Sequence, residues 1–262
     1  PSPSCIEGLV LWGLQFTPRV AIARSDAGFA TAMLMELEAS VRLFGGRRQL
    51  AQRIRTESTE LGATSLSWAP TGLAAIALAR AGVRHGFGAP LTQRLDPLPL
   101  SSIDAVQQEA ATLARLGCQT LGQVRSLPRS GTGRRFGAGL LDALDQAYGQ
   151  RPETFVWEQL PERFHARLEL MARIDTAPAL MHGARRLLLQ LCGWLASRCC
   201  GVTAITLRWC HDGMRSRHVD EGGELRIRTA QPTRQIDHLG RLLAEHLAKV
   251  ELQAPVGELQ LL

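Results

Sequence analysis

The chain has 262 residues, enough for two or three small domains, and the 45% that are hydrophobic can bury ordinary cores. Its formal charge of +6 favours an anionic partner. Lys249 is the one lysine among 30 basic residues; the planar fork of arginine suits phosphate oxygens, although a G+C-rich genome produces the same bias.

Apolar runs and cysteine spacing argue against membrane-spanning and disulfide-stapled proteins. No apolar run is long enough to span a bilayer, and no charged leader with an apolar core is evident. The cysteines lack the spacing of a disulfide framework, so we expect a reduced, cytoplasmic protein. They are Cys5, Cys118, Cys192, Cys199, Cys200 and Cys210. No strand precedes the first helix, so we expect a piece of a longer protein.

The first part of the chain alternates helices and strands. Its apolar spacing predicts a helix over 6–16, strands over 20–22 and 29–38, and an amphipathic helix over 47–61. The stretch 29–38 is mostly apolar, which is typical of a buried central strand, and it leads to the Gly45-Gly46 turn.

The same alternation continues to about residue 85. A strand is predicted over 64–69, followed by a helix that Pro70-Thr71 opens and Gly82 ends. A proline-punctuated linker then covers 86–100. This order indicates an α+β or α/β sheet domain, which we place at residues 1–95.

Two further domains are expected. Residues 96–152 alternate short helices with glycine turns and carry no strand signal, so they predict a small all-helical domain. After a second linker, residues 164–262 predict the order βαββαβ, which is typical of a ferredoxin-like unit. Its predicted elements are strand 164–174, helix 178–200, strands 202–210 and 224–229, helix 232–250 and strand 256–262.

The helical domain carries the clearest binding signal. The stretch 116–122, LGCQTLG, has the form of a helix-hairpin-helix turn. Glycines at Gly117 and Gly122 would let the backbone approach a phosphate, and the next helix would present free amides and its positive end. The nearby cations are Arg125, Arg129, Arg134 and Arg135. This pattern predicts sequence-independent binding of the DNA backbone, while the alternative is a compact helical corner.

Two acidic patterns do not predict catalysis. Ser102-Ile103-Asp104 resembles a catalytic strand motif, but it begins a helix and Ala105 replaces the second acid, so we expect a helix cap. Glu36 and Glu38 would project from one face of a strand and could hold a divalent ion, but no third acid lies beside them. We expect no metal there.

Cysteine and histidine positions do not predict a metal site or a catalytic group. Cys199-Cys200 with Cys210-His211 lacks the paired spacing of zinc ligands, which favours core cysteines. The other histidines are scattered, and we expect no cofactor and no metal.

Taken together, the segments LEASVRLFGG, LPRSGTGRRFG and RTAQPTR resemble Y-family DNA polymerases. The chain is most similar to the non-catalytic members of bacterial damage-induced mutagenesis. The resemblance covers nearly the whole chain. It implies a partial palm at 1–95 without the first strand and fingers, a helix-hairpin-helix thumb at 96–152, and a little finger at 164–262.

The resemblance also implies a palm without catalytic acids. Active members carry adjacent Asp and Glu where this chain has Thr31 and Ala32, and Asn-Lys where it has Thr71-Gly72. The first metal-binding Asp would lie upstream. Because two-metal phosphoryl transfer needs these carboxylates, their loss implies a protein that is not an enzyme.

The partners that the resemblance implies are DNA, the sliding clamp, a recombinase-like protein and an error-prone polymerase of the replicative α-subunit type. No clamp-binding peptide is evident up to Leu262, and Gln159-Leu160 is a poor substitute. Two alternatives stay open. One is a divergent active polymerase that uses Glu36 or Glu38 with acids from the missing part. The other is a protein-interaction module that does not bind DNA.

Overall fold

A computed structural model describes residues 3–25, 28, 31–211 and 222–262, with the backbone alone for residues 3–5. The chain divides into two compact units. Unit 1 comprises Pro1–Ala21, Leu37–Gly62 and Trp157–Leu262, and unit 2 comprises Ile22–Glu36 and Ala63–Val156. The predicted domains follow the resemblance and not the compactness of the two units, so their limits stay predictions. These limits are 1–95, 96–152 and 164–262.

The chain combines α-helices with an antiparallel sheet, which confirms the α+β fold class. The strands are β1 (Val20–Ala23), β2 (Ala32–Met35), β3 (Ala166–Ile174), β4 (Val202–His211), β5 (Gly222–Thr233) and β6 (Val256–Leu261). The α-helices are α1 (Pro3–Gly13), α2 (Arg47–Glu60), α3 (Gly72–Arg80), α4 (Leu91–Leu95), α5 (Asp104–Gln108), α6 (Ala110–Arg115), α7 (Leu121–Arg125), α8 (Arg129–Phe136), α9 (Ala138–Ala147), α10 (Met181–Ser197) and α11 (Ile236–Leu247). Short 3-10 helices cover Glu38–Phe44, Leu100–Ser102 and Ala177–Leu180.

Unit 1 contains the predicted βαββαβ order, as β3-α10-β4-β5-α11-β6. Its sheet has the order β3-β6-β4-β5 with antiparallel neighbours. A ferredoxin-like sheet instead has the first and third strands of the unit at its centre. The ferredoxin-like prediction is therefore wrong in strand order, because the β4-β5 hairpin makes β5 an edge and β6 fills the gap beside β3. Apolar alternation does not encode the direction in which a hairpin folds.

Helices α10 and α11 bury one face of this sheet. Leu187, Leu188 and Leu243 are fully buried against inward strand residues such as Ile205 and Leu259. Helix α2 also belongs to unit 1, and its buried face carries Leu50 and Ile54, as predicted for 47–61.

Two strand predictions in the first part of the chain are wrong or too long. The strand predicted over 29–38 is the four-residue β2, half-buried and paired with β1, and residues 29 and 30 lie outside the described residues. The segment 64–69 is not a strand and makes one isolated bridge, between Trp68 and His85. An apolar pattern without a neighbouring strand cannot form a ladder.

The helices of unit 2 surround one core, and residues 96–152 contain helices and no strand, as predicted. Helices α3 and α9 share this core with the short helices between them. The proposed linker 86–100 is part of the core instead, because it contains α4 and buries Leu95, Leu98 and Leu100. Pro97 lies in the turn after α4, and Pro99 is extended and bridges to Thr120. In the described part of the chain, no helix is long and apolar enough to cross a membrane.

Candidate nucleic-acid interface

The predicted helix-hairpin-helix turn forms between α6 and α7. Gly117 has φ +84, a left-handed conformation that glycine adopts without steric cost. Thr120 then caps α7 in a capping box with Gln123. The turn geometry inferred from the sequence is confirmed.

The free amides expected at this turn are absent, however. At the start of α7, the amide of Leu121 donates to the Leu98 carbonyl at 2.9 Å and that of Gly122 to the Asp96 carbonyl at 3.0 Å. The Gln123 amide donates to Thr120 Oγ1. The expectation that α7 offers amides to a phosphate is therefore wrong, because the preceding segment has already bonded them.

Gly122 is required by packing. A Cβ atom at this position would lie 2.7 Å from the Cβ of Asp96 and 3.1 Å from its Cα. Glycine thus allows α7 to contact the end of α4. A role for Gly122 or Gly117 in binding DNA stays a prediction.

Arg125 is held inside unit 2 by a carboxylate and a ring. Its Nε and Nη2 donate to Asp96 at 3.1 and 2.9 Å, and its guanidinium lies 5.1 Å from the centroid of Tyr148. The Tyr148 hydroxyl also donates to Asp96, at 2.7 Å. Burial opposes ionisation of Asp96, but the Arg125 and Tyr148 hydrogen bonds lower its pKa overall. Arg125 therefore joins helices, and two of its five donors are engaged by Asp96.

Arg129 makes a similar two-pronged contact. Its Nη1 and Nη2 donate to Asp145 at 2.9 and 2.6 Å. The hydrogen bond from Arg129 lowers the pKa of Asp145. This pair connects the start of α8 to α9 and leaves Arg129 partly neutralised.

Arg134 and Arg135 differ from these two arginines. Both are exposed in the last turn of α8. Arg134 Nε donates only to the Ser130 carbonyl, at 3.3 Å, and the Arg135 guanidinium lies 5.8 Å from the Phe136 ring. Within the described residues neither has a carboxylate partner, so both keep their charge available to an anion.

The N-terminus of α9 follows immediately and was not predicted from the sequence. Gly137 is its N-cap residue with φ +81 and supplies no side-chain cap. The amides of Ala138, Gly139 and Leu140 have no hydrogen-bond partner among the described residues. Because a Cβ on Gly139 would meet no atom within 4 Å, this end is open. Free amides, the helix dipole and two unpaired arginines form a surface suited to phosphate.

A second basic surface lies on unit 1 and was also missed. Ile227 faces the helices and is 2% exposed, so the alternation of β5 turns Arg226 and Arg228 to the open face of the sheet. Neither has an acidic partner in the part of the chain that is described, whereas Arg208 on the same face pairs with Glu224 at 2.8 Å. The alternation of polar and apolar residues in ELRIRT was the sequence signal that could have predicted this surface.

At the palm positions, Thr31 lies directly before β2 and Ala32 begins it. Glu36 and Glu38 do not share a strand face as predicted, because Leu37 has φ −118 and ψ −5 and the chain turns into a 3-10 helix at Glu38. Arg47 Nη2 donates to Glu38 at 2.9 Å. The geometric premise for a metal ion between these two acids is therefore wrong.

Residues from the segment after α9 contact the Thr71-Gly72 position. The Glu153 carboxylate accepts hydrogen bonds from the amides of Gly72 and Leu73 at 2.7 and 2.6 Å. A Cβ on Gly72 would lie 2.8 Å from the Phe155 ring. The segment after α9 thus covers the start of α3.

The predicted Ser102 cap is also corrected. Ser102 is 2% exposed in a 3-10 helix, and Ile103 precedes α5 without a side-chain cap. Asp104 instead pairs with Arg80 at 2.8 Å. No cluster of three possible metal-ligating side chains occurs among the described residues, and residues 212–221 lie outside them. Cys210 and His211 are neighbours on β4 and point to opposite faces.

The chain is similar to the protein ImuB from two strains of Caulobacter vibrioides. With each it is 28% identical over 195 residues, which are 73% of this chain and 42% of the relative. These relatives confirm the resemblance that the sequence motifs indicated. The chain spans less than half their length. No protein-family model matches it.

Solved structures of Y-family DNA polymerases also align with the chain. A DinB-family error-prone polymerase from Sulfolobus solfataricus aligns at 16% identity and a TM-score of 0.47, covering 98% of this chain and 76% of that one. A Dbh ternary complex aligns at 15% identity and a TM-score of 0.42, with the same coverage.

Proposed function

We propose that the chain is part of a non-catalytic, polymerase-like DNA-binding protein that acts in damage-induced translesion synthesis and mutagenesis in the cytoplasm. The observation that carries DNA binding is the open N-terminus of α9 beside the unpaired Arg134 and Arg135. Such a site contacts phosphate and not bases, so binding is independent of sequence and sensitive to salt.

The absence of catalysis is the second part of the proposal. It is supported by the similarity to ImuB and by Thr31 and Ala32 at the expected acid positions. Glu36 and Glu38 do not face one ion, so they give no support to the divergent active polymerase. Carboxylates that clamp two metal ions are what this chemistry requires.

As a scaffold, the whole protein would bring an error-prone polymerase of the α-subunit type, the recombinase-like protein ImuA and the sliding clamp to damaged DNA. Support for these partners comes only from the resemblance to ImuB. Pull-down of each purified partner by the full-length protein tests them one at a time.

DNA binding and catalysis are tested together with the full-length protein. We expect affinity for primer-template DNA to fall steeply with salt and no primer extension with Mg²⁺. Replacing Arg134 and Arg135 with Gln should weaken binding equally for unrelated DNA sequences. Flat DNA titrations at low salt would favour the pure protein-interaction module, and robust extension lost in Glu36→Gln would favour the active polymerase.

A further inference from the structure

Helix α2 in unit 1 has a polar stripe directly opposite its buried face. Leu50 and Ile54 bury one side of the helix. Residues spaced by three and four positions share a face, and the exposed stripe lies about half a turn away from this buried side. Its members are Arg48, Gln52, Arg55 and Thr59, and all are exposed.

The two acids of α2, Glu57 and Glu60, lie outside this stripe and are already engaged. Glu57 accepts hydrogen bonds from Trp12 at 2.5 Å and Arg53 at 2.7 Å. Glu60 accepts one from Arg185 at 2.9 Å. The stripe itself contains no carboxylate, so its positive charge is not cancelled on the helix.

Arg48 and Arg55 make no side-chain hydrogen bond or ion pair with any described residue, unlike Arg47, which pairs with Glu38. They lie about 10 Å apart along the helix axis.

The chemistry of the stripe favours a nucleic-acid backbone over a protein. Protein interfaces gain most of their affinity from aromatic and arginine anchors that fill apolar pockets. Here Gln52 and Thr59 accompany the arginines, and the stripe contains no apolar side chain. Amide, hydroxyl and guanidinium groups are the donors that contact phosphate and sugar.

We propose that this stripe of α2 is a further DNA-backbone contact, separate from the α9 surface of unit 2. The inference rests on the proposed DNA-binding function and adds a second contact to it. The two arginines bind phosphates of one strand, and Gln52 donates to the backbone between them.

The test compares two double variants of the full-length protein that remove the same charge. Arg48→Gln/Arg55→Gln removes unpaired arginines, whereas Arg47→Gln/Arg185→Gln removes two that are ion-paired. Either pair lowers the formal charge of the chain from +6 by two, to +4. Binding of a fluorescent oligothymidylate is measured across a salt series, and thermal unfolding verifies that both variants fold.

We expect the first variant to reduce the slope of log K against log salt by about 1.4, since each single-strand phosphate contact contributes about 0.7. The control should keep the wild-type slope. Equal slopes in both variants would overturn the inference. It would also be overturned if Arg48→Gln/Arg55→Gln kept its binding to DNA but lost binding to polyglutamate, an acidic polypeptide. Arg134→Gln/Arg135→Gln in the same series tests the proposed function independently.

Discussion

Gly122 and Gly139 are each the second residue of a helix of unit 2, but their surroundings differ completely. A Cβ on Gly122 would collide with Asp96, whereas a Cβ on Gly139 would meet nothing within 4 Å. The first glycine is therefore required by packing. The second leaves the amides of α9 accessible.

We expect Gly122→Ala to destabilise the protein by about 1–3 kcal/mol, because the backbone of Asp96 cannot move aside freely. Gly139→Ala should not lower stability, and helix propensity predicts that it raises stability by up to about 1 kcal/mol. It should weaken DNA binding, because its methyl group keeps a phosphate away from the α9 amides. Urea denaturation and DNA titration of both variants separate the two effects. Unchanged DNA affinity of Gly139→Ala would contradict the assignment of the α9 surface.

Glu153 is a second residue whose role is local and testable. Its carboxylate accepts two amide hydrogen bonds at the start of α3, where the helix dipole also favours negative charge. Glu153→Ala should lower the free energy of unfolding by about 1–2 kcal/mol. Glu162→Ala, at an exposed position, is the matched control for urea denaturation. Equal effects of the two substitutions would show that the cap contributes nothing.

At the scale of elements, two arginine–carboxylate pairs hold the short helices of unit 2 together. Arg125 joins α7 to Asp96 at the end of α4, and Arg129 joins α8 to Asp145 on α9. Helices of five to eight residues are marginal by themselves, so these contacts fix their arrangement.

These pairs predict a pH dependence of stability. The pKa of each carboxyl, Asp96 and Asp145, is lowered in the folded state. Their contribution is therefore complete above the ordinary carboxyl pKa of about 3.9 and is lost as pH falls through the lowered folded value. In urea titrations from neutral to acidic pH, the free energy of unfolding of Asp145→Asn should fall less steeply with decreasing pH than that of the wild type. An unchanged acid dependence would exclude a role for this pair.

The sequence predicted elements best where one apolar face was long and regular. Helix α2 and the βαββαβ order followed from spacing alone, and Gly117 correctly marked the turn before α7. The predictions that were wrong concern residues whose structure depends on neighbours far away in the chain. Residues 64–69 had no adjacent strand, and Leu98 and Asp96 took the amides of α7.

The site was predictable only in part for the same reason. The sequence indicates which arginines are near a glycine turn, but not which carboxylates neutralise them. Asp96 and Asp145 remove Arg125 and Arg129 from the set of free cations, and Arg134 and Arg135 remain. The pairs join residues 29 and 16 positions apart, which no local pattern records.

At the scale of the whole molecule, each unit carries its own unpaired arginines. Unit 2 has Arg134 and Arg135 beside α9, and unit 1 has Arg226 and Arg228 on the open face of its sheet. A net positive chain with two such surfaces can contact more phosphates than either unit alone.

This arrangement predicts additive losses of DNA binding. For duplex DNA, replacing either arginine pair with Gln should reduce the salt slope by about 1.8, and the quadruple variant should lose about the sum, because separate phosphates are released independently. Arg167→Gln/Arg208→Gln removes two ion-paired charges and should leave the slope unchanged. An unaltered slope in Arg226→Gln/Arg228→Gln would exclude the open face of the unit 1 sheet from DNA binding. If the quadruple variant reduced the salt slope by clearly less than the sum of the two pairs, both surfaces would compete for the same phosphates.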